Sequence, residues 1–120
     1  HFHVTTLKPF TDHEILYAIK NSKYGVITIE NHTEIGGLGT CVAELIAGNC
    51  LNKKLKKIAL KDTYLQGAST KFLMSRYKID ALSVIAQVEE LIGKKLDIFY
   101  KDLSLARIDT YFNDKQQEAL

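Results

Sequence analysis

At 120 residues the chain is long enough for one domain with a real core and too short for two. It is 46% hydrophobic and 25% charged, an ordinary globular composition, and a net charge of +2 argues against a nucleic-acid binder, which concentrates many more Lys and Arg on one face. No run approaches the roughly 18 apolar residues of a membrane span and no signal peptide is visible, so a cytoplasmic protein without a membrane partner is expected.

The chain starts at His1 and its only methionine is Met74, which reads as a fragment of a longer polypeptide. Phe2 to Leu7 (FHVTTL) has the β-branched and aromatic content of a short strand, punctuated by Pro9. His1 and His3 alternate along it, but without a third ligand they read as surface histidines rather than a metal site. Thr11-Asp12-His13-Glu14 has the form of a capping box with Thr11 as N-cap, flanked by a Phe10–Ile15 staple. The helix it opens runs to about Ser22, with Ile15, Leu16 and Ile19 inward.

Tyr24 to Gly48 is the organising stretch. Val26-Ile27-Thr28-Ile29 lacks polar alternation and predicts a central, nearly inaccessible strand. A polar loop, Glu30-Asn31-His32-Thr33-Glu34, follows, then Gly36-Gly37-Leu38-Gly39. Leu38, Cys41, Val42, Leu45 and Ile46 recur at helical spacing, and Gly48 and Asn49 stop the helix. Strand, glycine turn and helix make half of a βαβ crossover.

Further on, Lys53, Lys54, Lys56 and Lys57 read as a solvated approach to a strand with Leu55, Ile58 and Leu60 as its apolar content. Asp62 to Ala68 is a loop. Ser69 caps a short helix to about Tyr77 that buries Phe72 and Leu73. Asp80 caps the next, with Leu82, Ile85, Val88, Leu91 and Ile92 as its apolar face and Gly93 as its end. Leu96 to Tyr100 predicts a last strand, and Leu105, Ile108, Tyr111 and Phe112 one more amphipathic helix. Cys41 and Cys50 read as a small buried hydrophobe and a loop thiol, with no disulfide or metal pair expected.

Two features invite chemistry. Backbone amides at a helix start can hold an anion, which makes Gly36, Gly37 and Gly39 candidates. Their spacing matches neither G-x-G-x-x-G nor G-x-x-x-x-G-K-[ST], and a tight turn with close helix-to-sheet packing is the simpler reading. Glu30, His32 and Glu34 gather two carboxylates and an imidazole at a strand's carboxyl end, where α/β proteins usually bind ligands. His32 could serve as a general base, but no nucleophile accompanies it, and a loop or interface role is preferred for Glu30 and His32. No catalytic, cofactor-binding or metal-ligating residue is assigned in this chain.

A buried strand ending in Glu30-Asn31 with His32 beside it, then GGLG, then Val42-Ala43-Glu44-Leu45, resembles the carboxy-terminal domain of transketolase. Thr6-Leu7-Lys8-Pro9-Phe10 upstream resembles the segment before that domain's first helix. Gly67-Ala68-Ser69, Leu73 and Tyr77-Lys78-Ile79-Asp80 downstream resemble its GxSG…LL…YGID stretch. The likeness covers about Phe2 to Leu96, in order and with similar spacing. Deoxyxylulose-phosphate synthase and the beta subunits of 2-oxoacid dehydrogenases share versions of it.

The resemblance implies an α/β three-layer sandwich, a mostly parallel sheet of about five strands with one antiparallel. Residues 1–96 would form the domain and 97–120 an extension packed on it. The complete enzyme would transfer a two-carbon ketol unit between sugar phosphates, using thiamine diphosphate and Mg2+ held by a pyrimidine-binding and a diphosphate-binding domain. The diphosphate-binding G-D-G…N segment does not occur here. The chain is therefore expected to contribute packing and subunit contacts in a homo-oligomer and to be inactive alone. The reading of another class is a stand-alone regulatory α/β module that recognises an anion at GGLG.

Overall fold

In the computed structural model, which describes residues 1–105, two hydrogen-bonded strands lie side by side with helices around them. The order is α1 (His13–Asn21), β1 (Val26–Thr33), α2 (Leu38–Gly48), β2 (Leu55–Leu60), α3 (Thr70–Arg76), α4 (Ala81–Ile92) and α5 (Tyr100–Leu105). β1 and β2 are parallel, with Val26 opposite Leu55 and Ile29 opposite Ile58, and α2 forms the crossover between them. Two parallel strands cannot be joined by a tight turn, so a crossover of this length is obligatory.

The sheet is covered on both faces. Lys56 bonds Glu90 of α4, whereas the stem of its neighbour Lys57 lies against Gly39 of α2. Successive strand residues point to opposite faces, so α2 and α4 occupy opposite layers. The fold is thus the expected three-layer α/β arrangement with a parallel sheet, and two strands rather than about five are present among the described residues. The core lies on the α2 face. Ile15 and Ile19 of α1 meet Val42 of α2, surrounded by half-buried Val4, Phe10, Val26, Leu38, Leu45, Ile46, Leu51 and Leu55.

Helix ends follow local chemistry. The Asp12 carboxylate accepts from the Glu14 and Ile15 amides, so Asp12, not Thr11, is the N-cap of α1. Ser69 caps α3 through the Phe72 amide, Asp80 caps α4 through the Ser83 amide at 2.9 Å, and Gly93 closes α4 in the left-handed conformation.

Five further expectations are corrected. Phe2 to Leu7 and Leu96 to Tyr100 are not strands, because no neighbouring strand among the described residues offers them a ladder. β1 is not uniformly buried: Thr28 is, but Ile29 is 47% exposed. The segment from Glu30 to Thr33 is the end of β1 rather than a loop, and only Glu34 leaves the strand. Phe72 is 52% exposed instead of buried. The helix expected through Leu105, Ile108, Tyr111 and Phe112 reaches the described residues only at Leu105, which ends α5; the other three lie outside them.

Candidate interface and anion-binding site

The carboxyl end of β1 and the start of α2 form one bonded unit. Val26, Thr28 and Glu30 alternate onto the α2 face. Past Ile29 the register with β2 shifts, and pairing resumes at Thr33 opposite Leu60, continued by the Glu34 amide donating to the Leu60 carbonyl at 2.9 Å. Within this irregularity the Glu30 side chain turns towards the helix. A shift of this kind bends a strand and re-aims a side chain.

Glu30 engages both oxygens. The Leu38 amide donates to Oε2 at 2.8 Å and the Gly39 amide to Oε1 at 2.9 Å. These belong to the first turn of α2, whose N–H groups have no partner within the helix. Gly37, the N-cap, has no side chain to offer, so the carboxylate of Glu30, seven residues earlier, supplies the cap. A charge-assisted bond at the positive end of a helix is the stronger kind.

Each glycine has its own reason. Gly36 has φ +76°, a conformation that side chains rarely adopt. A Cβ on Gly37 would stand 2.7 Å from the Glu30 carboxyl carbon and closer still to Oε2. A Cβ on Gly39 would stand 2.8 Å from Lys57 Cδ and 3.0 Å from the Thr28 hydroxyl. The turn is tied further by Thr40, whose hydroxyl accepts from the Gly36 amide at 3.0 Å and donates to the Glu34 carbonyl at 3.3 Å.

The sequence-predicted residues thus fall into two groups. Glu30, Gly36, Gly37 and Gly39 come together at one turn. His32 does not join them: its ring is exposed and its Nδ1 lies 3.2 Å from the Thr33 carbonyl. Neither nearby carboxylate orients it, since Glu30 holds the helix amides and Glu34 pairs with Lys61 at 3.1 Å. Sequence reasoning missed Thr28, Thr40 and Lys57. Thr28 stands two residues before Glu30, so strand alternation alone places it on the same face. Its hydroxyl is buried without a hydrogen-bond partner among the described residues.

A groove of about 330 Å³ runs along β1, lined by Phe2, Val4, Phe10, Ile15, Ile27 and Val42 among others. It is mostly apolar and lacks the convergent polar groups that mark a small-molecule site. No group of three His, Cys, Asp or Glu side chains that could hold a metal occurs among the described residues. No helix of the described residues is long and apolar enough to cross a membrane.

Strand, crossover helix and parallel strand with helices on both faces define an α/β domain whose glycine turn joins strand to helix. The family profile described as "Transketolase, C-terminal domain" matches residues 2–84. The chain belongs to the transketolase C-terminal domain family. A protein of Methanocaldococcus jannaschii called "Putative transketolase C-terminal section" is 41% identical over 92 residues, covering 77% of this chain and 28% of the relative. A "1-deoxy-D-xylulose-5-phosphate synthase" of Parabacteroides distasonis is 31% identical over 75% of this chain and 14% of its own length. A "6-deoxy-6-sulfo-D-fructose transketolase subunit" of a Clostridium species is 28% identical over 77% of this chain and 28% of its own length. The chain therefore spans between about a seventh and somewhat more than a quarter of these relatives.

Thiamine diphosphate, which the family implies for the complete enzyme, does not fit the glycine turn. The helix amides best placed for a diphosphate are held by Glu30, and a second anion there would meet its carboxylate.

Proposed function

We propose that this chain is the carboxy-terminal, assembly-forming domain of a transketolase-like enzyme that moves a two-carbon ketol unit between sugar phosphates. Residues 1–96 are the domain and 97–120 an extension of it. The enzyme is cytoplasmic and homo-oligomeric. Thiamine diphosphate and Mg2+ bind to its pyrimidine-binding and diphosphate-binding domains, on the same chain or on a partner subunit, and this domain is inactive alone.

The family match over residues 2–84 carries this reading. Exposed apolar side chains, found in both halves of the domain, support the assembly role. α3 and α4 bury no residue completely, and Phe72, Met74 and Leu82 remain between 40% and 52% exposed. Tyr64, on the loop before α3, is 98% exposed. Exposed apolar side chains of this size are what a contact with another body would cover.

Calorimetric titration of thiamine diphosphate with magnesium into the chain tests the proposal and is expected to give no saturable heat. A saturable site, or turnover of a ketose phosphate by this chain alone, would overturn it. Joining the chain to the other two domains should give ketol transfer. A second reading, a deoxyxylulose-phosphate synthase, is favoured by relatives of that name at 30–34% identity. Formation of deoxyxylulose phosphate by the joined enzyme would select it.

A further inference from the structure

We propose that Glu30 is a resident carboxylate ligand of the glycine turn, a latch supplied by the chain itself that fills an oxyanion cradle and fixes the end of β1 to the start of α2. The cradle is built from the Leu38 and Gly39 amides, which take one carboxylate oxygen each. A second observation is the shape of the turn: the space a Cβ on Gly37 would take is filled by the Glu30 carboxyl group, whose carbon would lie 2.7 Å away. The Thr28 hydroxyl, on a residue only 4% exposed, lies at the same turn, 3.0 Å from where a Cβ of Gly39 would be, and has no hydrogen-bond partner among the described residues, Glu30 included.

The glycines follow from the latch. Gly37 has no Cβ because the Glu30 carboxyl group occupies that space, and Gly39 has none because Thr28 and the Lys57 stem close the floor. The pattern that resembles a phosphate loop is thus shaped around an internal carboxylate. Two consequences separate this from ordinary packing. Free phosphate finds the cradle taken in the native chain. A small carboxylate of the same chemistry, such as formate, finds it open once the Glu30 side chain is removed. Glu30 is a positioning residue, and nothing in this inference depends on what reaction the complete enzyme performs.

The test compares the 120-residue chain with Glu30→Ala and Glu30→Gln by thermal melting and by the amide resonances of Leu38 and Gly39. Charge-assisted bonds hold those protons strongly downfield, so both resonances should move upfield in Glu30→Ala. Its melting temperature should fall by roughly 5 °C or more. Formate, against sodium chloride of equal ionic strength, should restore part of the melting temperature of Glu30→Ala and return both resonances, by preferential binding to the folded state. The native chain should respond to neither formate nor phosphate beyond the chloride control. Glu30→Gln, which keeps the shape and one acceptor, should fall between. Should Glu30→Ala fail to fold, an upfield move of the two resonances in folded Glu30→Gln supports the latch, and unchanged resonances there overturn it. The proposal is also overturned if Glu30→Ala melts like the native chain, if formate fails to rescue a folded Glu30→Ala, or if phosphate saturably shifts Leu38 and Gly39 in the native chain.

Discussion

The two halves of the domain are held by different means. From α1 to β2 the chain is tied non-locally: Ile15 and Ile19 meet Val42 across more than twenty residues, β1 pairs with β2, and Glu30 bonds the first turn of α2. From α3 onward it is tied more loosely. α3, α4 and α5 bury no residue completely; Ser69 and Asp80 cap α3 and α4, and α4 is held to the sheet by half-buried side chains such as Ile85, Val88 and Leu91 and by the Lys56–Glu90 link. Buried apolar contact is what makes a region resist opening, so the first half should be the last to unfold. The difference teaches which part of the fold is secured by its own core and which depends more on helix caps and half-buried contacts.

The largest effect should come from the core of the first half. Ile19→Ala removes a side chain that is 4% exposed and packed on Val42, and should cost about 2–4 kcal/mol by denaturant titration. Phe72→Ala in α3 should change stability by less than about 1 kcal/mol. Equal losses in the two variants would erase the contrast. Next comes Gly37→Ala, which drives a Cβ into the Glu30 carboxyl group and should cost about 1–3 kcal/mol, with or without phosphate present.

Caps give the next step down. Asp80→Ala leaves the Ser83 amide without its acceptor and should cost about 1 kcal/mol, as should Asp12→Ala at the start of α1. If the second half rests on local bonds, hydrogen exchange should accelerate across all of α4 in Asp80→Ala. In Asp12→Ala the first turn of α1 alone should be faster, because the core holds the remainder.

The smallest effect is a pH dependence at the end of α4. Glu89 accepts from the Leu96 amide at 2.9 Å and from Lys95 Nζ at 2.7 Å. The Leu96 amide first, then the lysine, hold its carboxyl below the usual glutamate range. A depressed carboxyl stabilises the fold above its unfolded value and loses that contribution as pH falls through the folded value. The difference in stability between the native chain and Glu89→Gln should therefore be complete at neutral pH and close below about pH 4. A difference independent of pH would show that the contact acts through shape rather than charge.

What was legible in the sequence was whatever is decided nearby. Asp80, Ser69 and Gly93 were readable as caps because each acts on amides or carbonyls within a few residues. The apolar stripe of α2 and the strand–turn–helix unit were readable from period alone. Phe2 to Leu7 misled because its propensity suits a strand, yet a strand exists only where a partner edge accepts it. The helix starts at His13, so Asp12 rather than Thr11 stands at the N-cap and accepts from the Glu14 amide, a choice between neighbours that the capping pattern leaves open. Glu30 stands out in the sequence for its charge alone, and its polar neighbours read as a loop. Its partners, Leu38 and Gly39, lie across a turn whose path no local rule predicts.

The tether between Glu30 and α2 also sets a scale for competition. Only eight residues separate Glu30 from Leu38, so the carboxylate meets the helix amides as an intramolecular partner. Short tethers give effective concentrations on the order of millimolar, and a tether folded into a strand on one side and a helix on the other searches less space still. A free anion must exceed that local concentration, weighted by relative affinity, before it occupies the turn. If Glu30 acts as the proposed latch, the glycine turn stays closed to phosphate compounds more dilute than that, without any conformational change.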